Sequence, residues 1–378
     1  MKNFDENFYK GRDSFLAKLE PSSNDYMIIH DAIGKIKIAL QKGISQEYEK
    51  SPRFMTQGSA RYKTLNKPCI IPPQQMDYDI GCYLPLSEHM NKDNPIIAEN
   101  IFFKIADRIL ADLVKKENWQ SYSKEKDTCC RVEINEKIHI DIPLYSVPDE
   151  EFNTIKDRII KCSESYQFSR LVEDTQREPS WDDFKFTEVL LAHRKIGWKK
   201  SDPRDLNMHF ENIARTKGPQ IIRLFRYMKA FRDKQWITKG PSSIFLMCVI
   251  DRVILAMNKN GDAIAFLQVL EEFSNLSSRH VENPTDTEER ISISSEDYNK
   301  LKVVSLAFYT DLKKAISCRR RKVVTPVSVS PWRIAWLIGA APRYMGSREP
   351  CRLIVPMGGI CHTERGSIRK ATTICKCG

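Results

Sequence analysis

The chain has no apolar run approaching the roughly 20 residues of a membrane-spanning helix. Its first residues, MKNFDENFYKGRDSF, also lack the apolar stretch of a secretory signal. Both absences lead us to expect a cytoplasmic protein with no membrane partner. Internal repeats are missing too, which excludes a solenoid. There are eleven cysteines, but those at 69, 82, 129, 130, 162 and 248 have no metal-ligand spacing and read as buried free thiols. Near the C-terminus, Cys375-Lys376-Cys377 and Cys361-His362 fit no closed four-ligand zinc pattern.

A general excess of positive charge is likewise absent. The net charge is +11, but residues 318–378 carry twelve Lys/Arg against only Glu349 and Glu364. The remaining 317 residues are therefore at +1. A protein that coats nucleic acid needs many Lys/Arg–phosphate contacts. A near-neutral body argues against an obligatory nucleic-acid partner and against a purely DNA-sensing module. The change of composition at Cys318 is abrupt, and it cuts a helical pattern short. Two readings of the atypical basic tail stay open: a changed reading frame near that point, or a genuine irregular tail.

What is present is a spacing of acids. Residues two apart on a strand point to one face. Within Met76–Leu84, Asp77, Asp79 and Tyr83 share one face, and Tyr78, Ile80, Cys82 and Leu84 share the other. Further on, Ile138, Ile140 and Ile142 alternate with His139 and Asp141, so Asp141 faces away from the isoleucines. Between them Asn94-Pro95 opens a helix with an apolar stripe from Ile97 to Val114. Two acids on one strand, a crossover helix and a third acid on a later strand make one α/β half. Three such carboxylates can hold two Mg²⁺ ions, or Mn²⁺ in their place, that clamp the attacking and leaving oxygens of a phosphoryl transfer. In that chemistry Asp77 and Asp79 hold the triphosphate-bound ion. Asp141 completes the second site and helps deprotonate the attacking 3′-hydroxyl. Gly58-Ser59 provides a turn whose backbone approaches phosphate closely and whose hydroxyl donates to it.

Other residues read two ways. Tyr62 stacks on a base or is a packed aromatic. Arg226 and Lys229 form a solvated helix face or bring a cation to the triphosphate. Ser201-Asp202-Pro203 starts a helix or presents polar groups to a ribose or base edge, and Ser243 shares this ambiguity, with Ser242 beside it as the helix cap.

Periodicity organises the rest. Residues 6–19 read as a helix. A second helix is capped at Ser22–Asn24, carries a stripe from Ile28 to Leu40 and ends at Gly43. Beyond 150, helical patterns cover 183–196, 204–215, 218–236, 242–258, 261–275 and 295–316. The polar stretch 277–294 reads as a surface loop. The expected division is 1–150 for the N-terminal helices and catalytic core, 151–317 for a helical nucleotide-binding domain and 318–378 for the tail.

QGSARYKTLNKP, QQMDYDIGCYLP, HIDIPLYSVPDEEF, KKSDP and RYMKAFRDKQWITKGPSSIFLM together resemble the bacterial cGAS/DncV-like nucleotidyltransferases, in the cyclic GMP-AMP synthase branch. The resemblance runs in order over about residues 1–316. It implies an α+β fold: a polymerase-β-like core, a mixed sheet flanked by helices, with an oligoadenylate-synthase-like helical domain. It implies that ATP and GTP are joined into a 3′,3′-linked cyclic dinucleotide for anti-phage signalling. The product would act on a separate effector, with ancillary regulatory proteins of the same operon as further partners. By this resemblance Asp77, Asp79 and Asp141 are metal ligands. Gln57, Gly58, Ser59 and Tyr62 line the acceptor nucleotide, with Arg131 near it. Ser201, Asp202, Lys229 and Ser243, with Ser242, contact the donor. An RNA- or small-molecule-directed nucleotidyltransferase shares the metal chemistry and is the competing class.

Overall fold

The computed structural model describes residues 4–90, 95–149, 152, 189–201 and 203–317. Asp202 and the segment 318–378 lie outside them. The chain divides into Met1–Ala340 and Ala341–Gly378, and every described residue belongs to the first unit.

Alternating side chains make the central sheet. Strands β1 (Arg53–Gln57), β2 (Met76–Pro85), β3 (Ser121–Ser123), β4 (Cys129–Asn135) and β5 (Ile138–Val147) line up in the order β1-β2-β5-β4-β3. β2 and β5 run parallel, and β1, β3 and β4 join antiparallel, so the sheet is mixed. The β2–β5 crossover carries the short helix α4 (Ser87–Met90) and the long α5 (Pro95–Glu117) before the β3 and β4 strands. Parallel neighbours require such a crossover. On one face Met76, Tyr78, Ile80, Cys82 and Leu84 of β2 meet Ile138, Ile140, Ile142 and Leu144 of β5. This face is covered by Ile29, Ile36 and Leu40 of α2 (Ser23–Ile44) and by Phe102, Ala106 and Leu110 of α5. Each fully buried aliphatic or aromatic side chain there contributes about 1.5–3 kcal/mol. α2 is opened by a capping box, in which Ser22 Oγ accepts from Asp25 N and Asp25 Oδ2 accepts from Ser22 N.

The opposite face is divided along the strands. Toward the C-terminal ends of β2 and β5, the rings of Tyr83 and Tyr145 stack at 4.7 Å and bury Met55, Val147, Phe152 and Val189 with them. Toward the N-terminal ends lie Asp77, Asp79, His139 and Asp141. Gln57 stands at the border: its amide donates to the Tyr83 hydroxyl, and its carbonyl accepts from Tyr145 at 3.3 Å.

The second layer is helical: α6 (Pro203–Lys217), α7 (Pro219–Gln235), α8 (Ser243–Val253), α9 (Asp262–Ser274) and α10 (Ser295–Ser317). These match five of the six helical patterns beyond residue 150. The sixth is corrected. Within 183–196 the described residues form β6 (Leu190–His193), which pairs with β5 and with β7 (Gly197–Lys200). Gly197, at φ 80°, makes the tight turn that a helix would not allow. The expected loop at 277–294 is also corrected: His280–Asn283 (β8) and Asp286–Ser292 (β9) form a hairpin. The expected helix over 6–19 is broken at Gly11 into a π-helical turn, Glu6–Lys10, and α1 (Phe15–Leu19). Its Phe8, Phe15 and Leu19 pack into the helical core, not against the sheet. The sheet thus borrows residues 190–200 from the expected helical domain, and the helical core borrows the chain's first turns.

Asp262 ties this helical core together. It is fully buried and accepts from Arg223 Nε at 2.6 Å and Nη2 at 2.7 Å, from Gln220 Nε2 at 3.1 Å and from the Tyr227 hydroxyl at 2.9 Å. Removing one partner of a buried ion pair strands the other. Asp262→Ala should therefore lower stability by about 3–5 kcal/mol, read as a drop in the urea midpoint at an unchanged slope.

Candidate active site

The parallel register sets Asp79 directly beside Asp141, and Asp77 beside His139. Neighbouring strands lie about 4.8 Å apart, so the three carboxylates converge on one side of the sheet as their spacing predicts. Ligand atoms of Asp77, His139 and Asp141 all lie within 4.8 Å of one another.

Three like charges so close need compensation, and Asp141 and Asp77 obtain it differently. Asp141 is 2 % exposed. Arg131 grips it with two parallel bonds, Nε to Oδ1 at 2.7 Å and Nη2 to Oδ2 at 2.8 Å, and Lys126 Nζ adds a third to Oδ2 at 2.6 Å. Such forked charge-assisted bonds are strong and fix orientation. Asp77 accepts from His139 Nε2 at 2.7 Å. Desolvation in the cleft raises the Asp77 pKa, but the His139 hydrogen bond and charge, then Lys126 and Arg131, outweigh it and hold the carboxyl below its usual range. Asp79 has no such partner among the described residues. Burial, then the charges of Asp77 and Asp141, push it well above the usual carboxylate range. Carboxylate oxygens are hard donors, so Asp77 and Asp141, grouped with His139, could hold a divalent ion.

The glycine-serine turn is built into this cluster. Gly58 opens the short helix α3 (Gly58–Arg61) at φ 58°, and a Cβ there would run into Asp79 Oδ2. Glycine is required both by its backbone angle and by this close approach. Ser59 Oγ donates to the Asp77 carbonyl at 2.9 Å, fastening the turn to β2. Gln57 spends its side chain on the two tyrosines described above. Tyr62 packs beside Phe210, with ring centres 5.1 Å apart, and belongs to the edge of the helical core.

Arg226 and Lys229 are both buried, at 8 % exposure each, and this overturns the reading of a solvated helix face. Lys229 Nζ donates to the Thr64 carbonyl at 2.7 Å. Arg226 Nε donates to Asn66 Oδ1 at 2.9 Å, and Nη1 donates to Glu20 at 2.7 Å. Asn66 Nδ2 returns a bond to the Arg226 carbonyl. These bonds join the 64–66 segment, just beyond the glycine-serine turn, to α7. Ser242 caps α8 by accepting from Phe245 N at 3.2 Å. Ser243 Oγ accepts from Arg232 Nη1 at 3.0 Å, which holds it against α7. Ser201 N donates to the Val189 carbonyl at 3.0 Å, closing the β6–β7 hairpin.

The sequence reading passed over His139, Gln75 and Lys126. The first two were findable, since His139 lies two residues before Asp141 and Gln75 two before Asp77, each on the acid-bearing face. Lys126 lies in the turn before β4, and no periodicity marks it.

Burial, then the nearby Arg232 charge, lowers the Lys229 pKa to about 8. An unfolded lysine titrates near 10.4. Between these values the unfolded chain binds more protons, so this group's contribution to stability rises with pH across that window. The stability difference between the unaltered chain and Lys229→Met should therefore shift in favour of the unaltered chain from about pH 8 to 10, by urea unfolding.

Comparison with known proteins agrees with this geometry. Residues 52–145 match the family model for the nucleotidyltransferase domain of DncV-like cyclic GMP-AMP synthase, and residues 218–325 match that for the cyclic GMP-AMP synthase C-terminal domain. A cyclic GMP-AMP synthase from Escherichia coli is 35% identical over 251 residues, 63% of this chain and 56% of that protein. One from Vibrio cholerae is 33% identical over 254 residues, 64% of this chain and 56% of that protein. The chain thus spans a little over half the length of the curated relatives it matches. Among solved structures, V. cholerae DncV with the linear intermediate 5′ pppA(3′,5′)pG has a TM-score of 0.70 at 23% identity, covering 89% of this chain and 95% of that one. E. coli DncV in its 3′-deoxy GTP bound form has a TM-score of 0.68 at 22% identity, covering 89% and 96%. These likenesses show the fold, a mixed-sheet nucleotidyltransferase core with a helical domain. With both domain models matched in order around an acid cluster of this geometry, the chain belongs to the DncV-like nucleotidyltransferase family.

Proposed function

We propose that this chain is a cyclic dinucleotide synthase that joins ATP and GTP into 3′,3′-cyclic GMP-AMP, with release of pyrophosphate. The observation that carries this reading is the placement of Asp79 beside Asp141 on parallel strands, with Asp77 on the same face and Gly58 pressed against Asp79. The names of the relatives support the product class.

Asp77, Asp79 and Asp141 would hold two Mg²⁺ ions, for which Mn²⁺ can substitute. Bound there, such ions would supply charge neutralisation for the transferring phosphates and would activate the attacking hydroxyl. The chain's own groups do the rest. Backbone N–H groups of the Gly58–Ser59 turn would meet the phosphates, and Lys229 would supply a cation to the triphosphate. Arg131 would pass from Asp141 to the acceptor. Asp141, held by Lys126 and Arg131, would help deprotonate the attacking 3′-hydroxyl. Gln57 and Tyr62 support the acceptor side through packing, and Ser201, Asp202, Ser242 and Ser243 belong to the donor side. Such positioning and charge neutralisation are the main levers of phosphoryl transfer. The second, ring-closing step reuses the same acids, so the linear intermediate must rebind with its ends exchanged. The product would serve as a cytoplasmic second messenger in anti-phage defence, read by a separate effector, with ancillary regulatory proteins of the same operon.

Incubation with labelled ATP, GTP and Mg²⁺, followed by phosphatase and chromatography, tests the reading. A phosphatase-resistant small product is expected from the unaltered chain and none from the Asp77→Ala/Asp79→Ala double variant. Extension of an added RNA without such a product would sink cyclisation in favour of a tailing enzyme, and turnover by the double variant would refute the site.

A further inference from the structure

We infer that His139, locked in place by Gln75, is a positioning residue that orients the Asp77 carboxylate for its ion; this rests on the metal-site reading above. His139 is 6 % exposed and sits on β5 beside Asp77 on β2, so the strand register alone brings the ring to the carboxylate. Nε2 lies 2.7 Å from Asp77 Oδ1. The opposite edge of the ring is held with equal care. Gln75 Nε2 donates to the Asn135 carbonyl at 3.0 Å, which turns Gln75 Oε1 toward the ring, where it accepts from His139 Nδ1 at 2.9 Å. The amide orientation of Gln75 is thus set by the β4–β5 turn, and it sets the ring in turn.

The geometry explains why such a brace is useful at this acid and not at its neighbours. Asp141 is nearly buried and already fixed by the Arg131 fork. Asp79 is pressed against Gly58. Asp77 has a half-exposed side chain, and only its backbone carbonyl is fastened, by Ser59. A half-exposed aspartate without a side-chain partner samples several rotamers, and ion binding must then bear the cost of choosing one. The His139 bond takes Oδ1, so Oδ2 is presented in one direction. Partners of this kind behind a ligand typically matter 10- to 100-fold in metal affinity.

The test is a Mn²⁺ titration of the full chain without nucleotide, following the EPR signal of the free ion. His139→Ala should weaken binding about 10- to 100-fold. His139→Gln, whose amide can donate from near the Nε2 position, should recover most of that loss, with both variants melting together. Gln75→Leu should weaken binding in the same direction, and it carries the test if His139→Ala does not fold. Equal Mn²⁺ affinity in the unaltered chain and His139→Ala, or equal weakness of the Ala and Gln variants, would overturn the inference while leaving the ion site standing. Histidine-nitrogen hyperfine coupling on the bound Mn²⁺ would also overturn it, by making His139 a direct ligand. An unaltered chain that takes up no Mn²⁺ would remove the ion site and this inference with it.

Discussion

Like-charge repulsion is the constraint around which the described structure is arranged. Three carboxylates are forced to adjacent positions by a parallel strand pair, at a separation where at least one of them resists ionising. The protein meets this with separate devices at two of the acids. Asp141 has a guanidinium fork and an ammonium. Asp77 has an imidazole. Asp79 has only a glycine pressed against it, and its carboxyl is the one driven upward. The cluster thus keeps carboxylate oxygens turned to one side of the sheet, where a divalent ion could be held.

The sheet can sustain this because its two faces are chemically unlike. The isoleucine face anchors β2 and β5 to α2 and α5, so the strands cannot slip by one residue without burying the acids and exposing the core. The tyrosine cluster locks the far half of the acid-bearing face. Gln57 then marks the boundary with bonds to both rings. On the helical side, Lys229, Arg226 and Asn66 join the segment after the glycine-serine turn to α7, so that turn and the helical domain are positioned by one set of bonds.

Period-2 alternation made the acid face legible before any coordinates, because Ile138, Ile140 and Ile142 left Asp141 only one direction to point. Helices with long apolar stripes, such as α5 and α7, were legible for the same reason. The failures also have physical causes. Residues 190–200 carry too few alternating positions to separate a short hairpin from a helix, and their partner strand lies more than forty residues upstream. The β8–β9 hairpin is polar enough to resemble a loop. Helical spacing leaves Arg226 and Lys229 open between a solvated face and a buried cation, because the partners that bury them, Asn66, Glu20 and the Thr64 carbonyl, come from a distant part of the chain.

The pairing of the first turns with the last helices has a consequence for synthesis. Phe8 lies against Tyr227 and Phe266, and the Tyr227 hydroxyl sits 3.1 Å from the Phe8 carbonyl, 219 positions away along the chain. A ribosome releasing this chain exposes the opening phenylalanines long before anything exists to receive them. Phe8 and Phe15 find their partners only when α7 and α9 arrive. That delay leaves greasy residues open to chaperones or to misassociation until those helices are made.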